Sequence, residues 1–169
     1  MYDPHTLSIQ TVDPRENIAA IGALIRRSFV TVAEEFHLTA QNCPANPAFL
    51  DDPALLRSLG KRDVICLGGF LNGALVGFAA LVPQGGHAFE LTRLCAAPGH
   101  RHAGIGGELL AASVRLAREQ GAEKIVIGII DAHETLKNWY VKHGFRETGK
   151  KVYAHLLFVV CEMELALTS

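Results

Sequence analysis

The chain has 169 residues, 49% of them hydrophobic and 20% charged, a profile that excludes a disordered chain and gives enough length to bury a core without staples. Its 16 Lys and Arg against 17 Asp and Glu leave a formal net charge of -1. No global field therefore recruits nucleic acid or an acidic membrane, and any anion site has to be local.

In chain order, Met1–His5 lacks the basic and apolar regions of a signal peptide. Thr6 to Val12 alternates apolar and polar residues and predicts a strand. Asp13-Pro14 opens a helix expected to run to about Phe29, with a second helical stretch from Thr31 to Leu38. Pro44, Pro47 and Pro53 mark a loop, followed by a short helix around Ala54 to Ser58. Val64–Phe70 and Ala74–Val82 flank Asn72-Gly73, a strong hairpin signal, and His87–Ala96 continues the antiparallel meander. Gly104–Gln120 has helical periodicity and Gly121 stops it. Lys124–Ile130 reads as a buried strand, His133–Lys142 as a helix, and Phe145–Val152 and Leu156–Leu165 as two closing strands. No apolar run reaches the roughly 18 residues of a membrane span. The expectation is one α/β (α+β) domain over residues 1–169, soluble and cytoplasmic.

The segment Arg101-His102-Ala103-Gly104-Ile105-Gly106 leads from a strand directly into an amphipathic helix. The first N–H groups of a helix have no intrahelical acceptors, and the dipole adds positive character there. Glycines let the backbone approach a ligand, so a diphosphate is a natural guest, and Arg101 adds a charged donor. The bland alternative is that the glycines only permit a tight turn. A Walker A loop is excluded because Glu108-Leu109 stands where Lys-Ser/Thr is needed, and a Rossmann fingerprint lacks its third glycine at Leu109. A methyltransferase reading, with Asp131 as its acidic residue, is weakened by the missing early parallel βαβ unit.

Arg101-x-x-Gly104-x-Gly106 resembles the Arg/Gln-x-x-Gly-x-Gly/Ala motif of the GNAT superfamily of N-acetyltransferases. Glu90-Leu91-x-x-Leu94 and Pro98 before it, and Trp139-Tyr140-Val141-Lys142-His143-Gly144-Phe145 after it, are similar to the family's text at the same places. The resemblance implies a mixed, mostly antiparallel sheet of roughly six to seven strands flanked by helices, in which a splayed strand pair forms the acyl-CoA cleft. It implies acetyl-CoA as the acyl donor and a small-molecule or peptide amine as acceptor. It also implies cofactor contacts from the backbone of Leu94, Cys95 and Ala96 and from Arg101, His102, Ala103, Gly104, Ile105 and Gly106. His133 stands where many members have Asn, and is expected to contact the cofactor arm differently.

Tyr140 is the candidate general acid, since a phenol of pKa about 10 stays protonated at neutral pH. Glu90 is the candidate base, or else attracts a cationic amine. Other readings remain: a non-catalytic acyl-CoA sensor, which needs neither Tyr140 nor Glu90, and an S-adenosylmethionine-dependent methyltransferase. No metal site is expected, because His100-x-His102 lacks further ligands and Cys43, Cys66, Cys95 and Cys161 form no Cys-x-x-Cys pair. Free thiols are the simplest reading. The last strand offers an edge for a homodimer, and Phe29–Pro53 with Lys150–Phe158 are expected to build the acceptor pocket.

Overall fold

The computed structural model describes residues 7–167; Met1–His5 and Thr6, the first residue of the expected first strand, lie outside them. The elements are β1 (Leu7–Thr11), α1 (Pro14–Glu35), α2 (Asp52–Leu59), β2 (Ile65–Leu71), β3 (Ala74–Pro83), β4 (Ala88–Ala96), α3 (Ile105–Glu119), β5 (Lys124–Ile130), α4 (Glu134–Lys142), β6 (Arg146–Val152) and β7 (Val159–Ala166). They build a seven-stranded sheet in the order β1-β2-β3-β4-β5-β7-β6, so the last strand is paired on both sides, by β5 and β6, and is not the edge expected for a homodimer. Every neighbouring pair is antiparallel except β4 and β5.

Local chemistry explains most boundaries. Asp13 caps α1 by accepting from the Arg15 N–H at 2.9 Å, and Pro14 stands in the first turn where its missing N–H is not needed. The helix does not break at Phe29 as expected but continues as one 22-residue element to Glu35. Val30, Thr31 and Val32 weaken helix propensity by only a few tenths of a kcal/mol each, about what β-branching costs. Burial of Ser28 and Ala33 on either side holds the turn in place. Asn72 and Gly73 take φ of 51° and 85°, the conformation that a tight β2–β3 hairpin requires. The last strand begins at Val159 rather than Leu156. Leu156 and Phe158 dip into a small cluster with Phe36 and Ile130, while Leu157 is 71% exposed.

Register assigns the faces of the sheet. Gly77 pairs with Ala96 and Phe78 with Cys95, so each pair shares a face and the two pairs oppose one another. A Cβ on Gly77 would lie 2.7 Å from Ile105 and 2.8 Å from Leu109, which puts α3 on the Gly77 face. The Cys95 thiol meets Ser28 of α1, which puts α1 on the other. Phe78, Leu81, Ile21, Leu24, Ile25, Leu109 and Ile125 are almost fully buried and fill the layers between. β4 carries a bulge: Ala80 pairs with Thr92 and Phe78 with Cys95, leaving Arg93 and Leu94 opposite Ala79 alone. Arg93 has φ of 54°. Because of the bulge, Glu90, Thr92 and Cys95 all lie on the α1 face, which unbroken alternation would not allow.

Candidate active site

The parallel pairing of β4 and β5 is brief. Ala88, Phe89 and Glu90 pair with Lys124, Ile125 and Val126, and there the contact ends. Beyond it, β5 stays on β7 to Ile130 while β4 stays on β3 to Ala96. The two strands diverge into a V-shaped cleft whose apex is Glu90. From Leu91 to Ala96, β4 pairs with no strand on its β5 side among the described residues, so the cleft wall offers backbone groups to an extended ligand, the Ala96 carbonyl already accepting from the Ser28 hydroxyl at 3.3 Å.

At the open end of β4, a 3-10 turn over Pro98–His100 leads into the glycine loop. Gly104 is the N-cap of α3 at φ of 91°, a left-handed conformation suited to glycine, and no side chain caps the helix. The Glu108 N–H donates to the Gly104 carbonyl at 3.1 Å, so the N–H groups of Ile105, Gly106 and Gly107 are left outside the helix ladder. Packing does not dictate glycine at 106 or 107. A Cβ at Gly106 would make an ordinary 3.5 Å contact with Trp139, and one at Gly107 would sit 3.7 Å from His143. Both residues have ordinary helical backbone, so their bareness serves what approaches from outside. An uncapped helix N-terminus with bare first-turn positions fits a diphosphate. A shallow hollow of about 420 Å³ adjoins it, lined by Gly107, Arg115, Arg118 and His143 among others.

Arg101 donates to the Ser28 carbonyl at 2.6 Å, tying the loop to α1 as well as presenting charge at its entrance. His102 is exposed at φ of 62°, and Ala103 is half-buried. Ile105 is buried under the loop as its anchor. Leu94, Cys95 and Ala96 line the diverging arm of β4, each half-buried. The Cys95 thiol is pushed up to about 12 by burial, so it stays protonated and is a poor nucleophile.

Across the cleft, α4 lies against the first turn of α3 through the Trp139–Gly106 contact. Its Tyr140 is 5% exposed, with its ring edge-on to Trp139 and Phe145 at 5.0 and 5.1 Å. Burial pushes the phenol well above its ordinary value. Among the described residues, His100 Nδ1 is a buried side-chain polar atom without a hydrogen-bond partner, while Asp52 Oδ1 is met by the Arg26 guanidinium at 2.9 Å.

Glu90 is half-buried, and burial raises its carboxyl above the ordinary range while the Arg93 charge pulls it back. His133 caps the start of α4 without a side-chain cap bond, and its ring packs on Phe36 at 5.3 Å. The structure thus gathers Glu90, the β4 arm, the α3 N-terminus and α4 around one cleft, with His133 on the apolar cluster at the end of β5. Sequence reasoning missed Arg93, Ser28 and Gly77. An isolated glycine within a strand is a recognisable sign of close approach and marks Gly77. The other two act through contacts remote in sequence, which no local pattern reveals.

Residues 29–145 match the sequence profile of the Acetyltransferase (GNAT) family. Uncharacterized N-acetyltransferases of Mycobacterium tuberculosis and Mycobacterium bovis are 26% identical over 82 residues, which is 48% of this chain and 53% of each relative. The match therefore spans about half the length of these relatives. Among solved structures, the PaiA N-acetyltransferase of Thermoplasma acidophilum in complex with coenzyme A superposes with a TM-score of 0.77 at 20% identity, over 95% of this chain and 98% of that one. The ribosomal-protein-S18-alanine N-acetyltransferase of Escherichia coli gives 0.76 at 14% identity, over 96% and 95%. An aminoglycoside 6'-N-acetyltransferase complexed with coenzyme A gives 0.72 at 18%, over 96% and 98%. These likenesses establish the fold, and the profile match over residues 29–145 establishes the kinship: the chain belongs to the GNAT acetyltransferase family.

Proposed function

We propose that the chain transfers an acetyl group from acetyl-CoA to a primary amine of a small molecule or peptide, by direct attack within a ternary complex. The observation that carries this reading is the cleft that opens at Glu90 between β4 and β5 and runs towards an uncapped helix N-terminus with bare glycines. Acetyl-CoA supplies the activated thioester. The N–H groups of Ile105, Gly106 and Gly107, with Arg101, His102, Ala103 and Gly104 around them, hold its diphosphate. Leu94, Cys95 and Ala96 pair with the pantetheine arm as an added strand would, and His133 contacts the arm from the β5 side.

Glu90 takes the proton of the incoming ammonium, directly or through water. Its raised proton affinity favours that transfer, because a base poised closer to the operating pH is the more effective. Tyr140 returns a proton to the departing thiolate. Its elevated proton affinity keeps it in the donor form throughout the working range. The high proton affinity of the Cys95 thiol argues against an acyl-enzyme and for direct transfer.

The test is release of coenzyme A thiol from acetyl-CoA in the presence of a panel of primary amines. At least one amine should support turnover, and Tyr140→Phe should lower kcat by about tenfold or more while leaving acetyl-CoA affinity unchanged. Turnover by the Phe variant equal to that of the parent would remove Tyr140 from the mechanism. Acetyl-CoA binding with no thiol release from any amine would leave a binding module instead of an enzyme.

A further inference from the structure

Arg93 has no part in the chemistry described above, yet it stands on the arm of β4 that walls the cleft. It follows Glu90 on the arm of β4 that has parted from β5. It occupies the bulge at φ of 54°, a backbone that glycine would take freely and that costs other residues about 1–2 kcal/mol. What arginine adds at that strained position is its guanidinium. The side chain turns to the α1/α2 side of the sheet, where one nitrogen lies 3.4 Å from Ser58 Oγ on α2, at the outer limit of a hydrogen bond. Glu90 and Cys95 occupy the same face by register.

Two features make this guanidinium unusual. Burial lowers its proton affinity, with Glu90 and Cys95 acting in the opposite direction, so the charge is held in a partly dehydrated place. It remains a cation all the same, since arginine does not deprotonate in proteins. Among the described residues, neither Arg93 nor Glu90 takes part in an ion pair, with each other or with any other charged group. A planar fork of N–H donors is thus left with one weak hydroxyl acceptor beside a lone carboxylate. Guanidinium forks match carboxylates in a bidentate manner, and such charge-assisted bonds strengthen where water is sparse.

We propose that Arg93 binds a carboxylate on the acceptor, so that the acceptor class is an amine that also carries a carboxylate, as amino acids do. The inference rests on the amine-acyltransferase reading and narrows it. Glu90 receives the ammonium and Arg93 the carboxylate, two opposite charges on one face of β4 meeting two opposite charges on one molecule. A dicationic acceptor is disfavoured by the same arrangement, because its second ammonium meets the Arg93 charge. Neutral amines lack the group that would complete the fork.

The experiment compares matched acceptors in the thiol-release assay. Each free amino acid is paired with its own carboxamide, with one α-amino acid pair and one pair whose amine and carboxylate are several carbons apart. The parent protein is expected to prefer the carboxylate member of one pair by about tenfold or more in kcat/KM, with the difference in KM. Which pair shows it gives the spacing. Arg93→Gln should erase that preference by weakening the carboxylate member alone, and Arg93→Lys should retain part of it. Equal use of acid and amide by the parent overturns the proposal, without any variant having to fold. An Arg93→Gln loss that falls equally on both members also overturns it, and assigns Arg93 to the tuning of Glu90 instead. Thiol release with none of these amines or any other would fail the underlying acyltransferase reading. Turnover of neutral amines with indifference to the carboxylate would fail this inference alone.

Discussion

Glu90 illustrates how a functional group sets itself against the stability of its own fold. Burial raises its proton affinity, so the folded state holds the proton more tightly than the unfolded chain does, where the value is about 4.3. The stabilisation linked to that shift is fully present below the unfolded value and is lost as pH rises through the folded one. At neutral pH the ionised side chain is therefore a net cost. Glu90→Gln is expected to melt at a higher temperature than the parent at pH 7, and the gap should close as pH falls through the Glu90 titration. Activity moves the other way, since glutamine cannot take a proton. Thermal melts of both proteins across pH 4 to 8 read this directly, taking roughly the range over which a raised carboxyl titrates. A gap of the same size at every pH would mean that the carboxyl is not strained by burial.

Glycine 77 controls the placement of an element. Its missing Cβ would come within 2.7 Å of Ile105 and 2.8 Å of Leu109, so it lets α3 lie close on β3 beside Ala96. The N-terminus of α3 is thereby held at the end of the β4 arm, where the glycine loop has to deliver its N–H groups. Gly77→Val should cost about 1–3 kcal/mol, the usual range for overpacking a tight core site. It should also weaken acetyl-CoA binding at temperatures where the variant is still fully folded. Denaturant unfolding and calorimetry on the same sample separate the two effects. Full stability would mean that α3 is not seated on this glycine.

The same element-level view explains what the sequence could and could not disclose. β5 was legible to the residue, Lys124–Ile130, because its text is almost all β-branched, broken only by Gly128, with Ile125 and Ile127 buried. The β2–β3 turn was legible because Asn-Gly carries its own conformation. The length of α1 was not, because the local signal at Val30–Val32 favours a break and tertiary burial overrules it. Leu156–Phe158 misled in the opposite direction: an apolar run looks like a strand, but here its side chains divide between a small cluster and solvent. The bulge at Arg93 leaves no trace in a Thr-Arg-Leu text that alternates normally, so a residue of the cleft wall was invisible.

For the whole molecule, donor and acceptor are encoded unequally. The family profile covers residues 29–145 and so contains the cleft apex, the β4 arm, the glycine loop and α4. β6, β7 and the connection between them fall outside it. The end of β6 and that connection carry exposed apolar side chains at Val152, Tyr153 and Leu157, beside the cluster that includes Phe36, Phe49 and Phe158. The donor side is written in glycines and one arginine with fixed spacing, while the acceptor side depends on contacts between distant segments. Everything proposed for this chain rests on the donor side. Isothermal titration of acetyl-CoA into the parent, Gly106→Ala and Gly106→Glu therefore tests the central claim most directly. The parent should bind, the Ala variant should stay folded because its Cβ meets nothing closer than 3.5 Å within the protein but bind more weakly, and the Glu variant should lose binding through bulk and charge at the helix N-terminus. Undiminished affinity in the Glu variant would contradict the account.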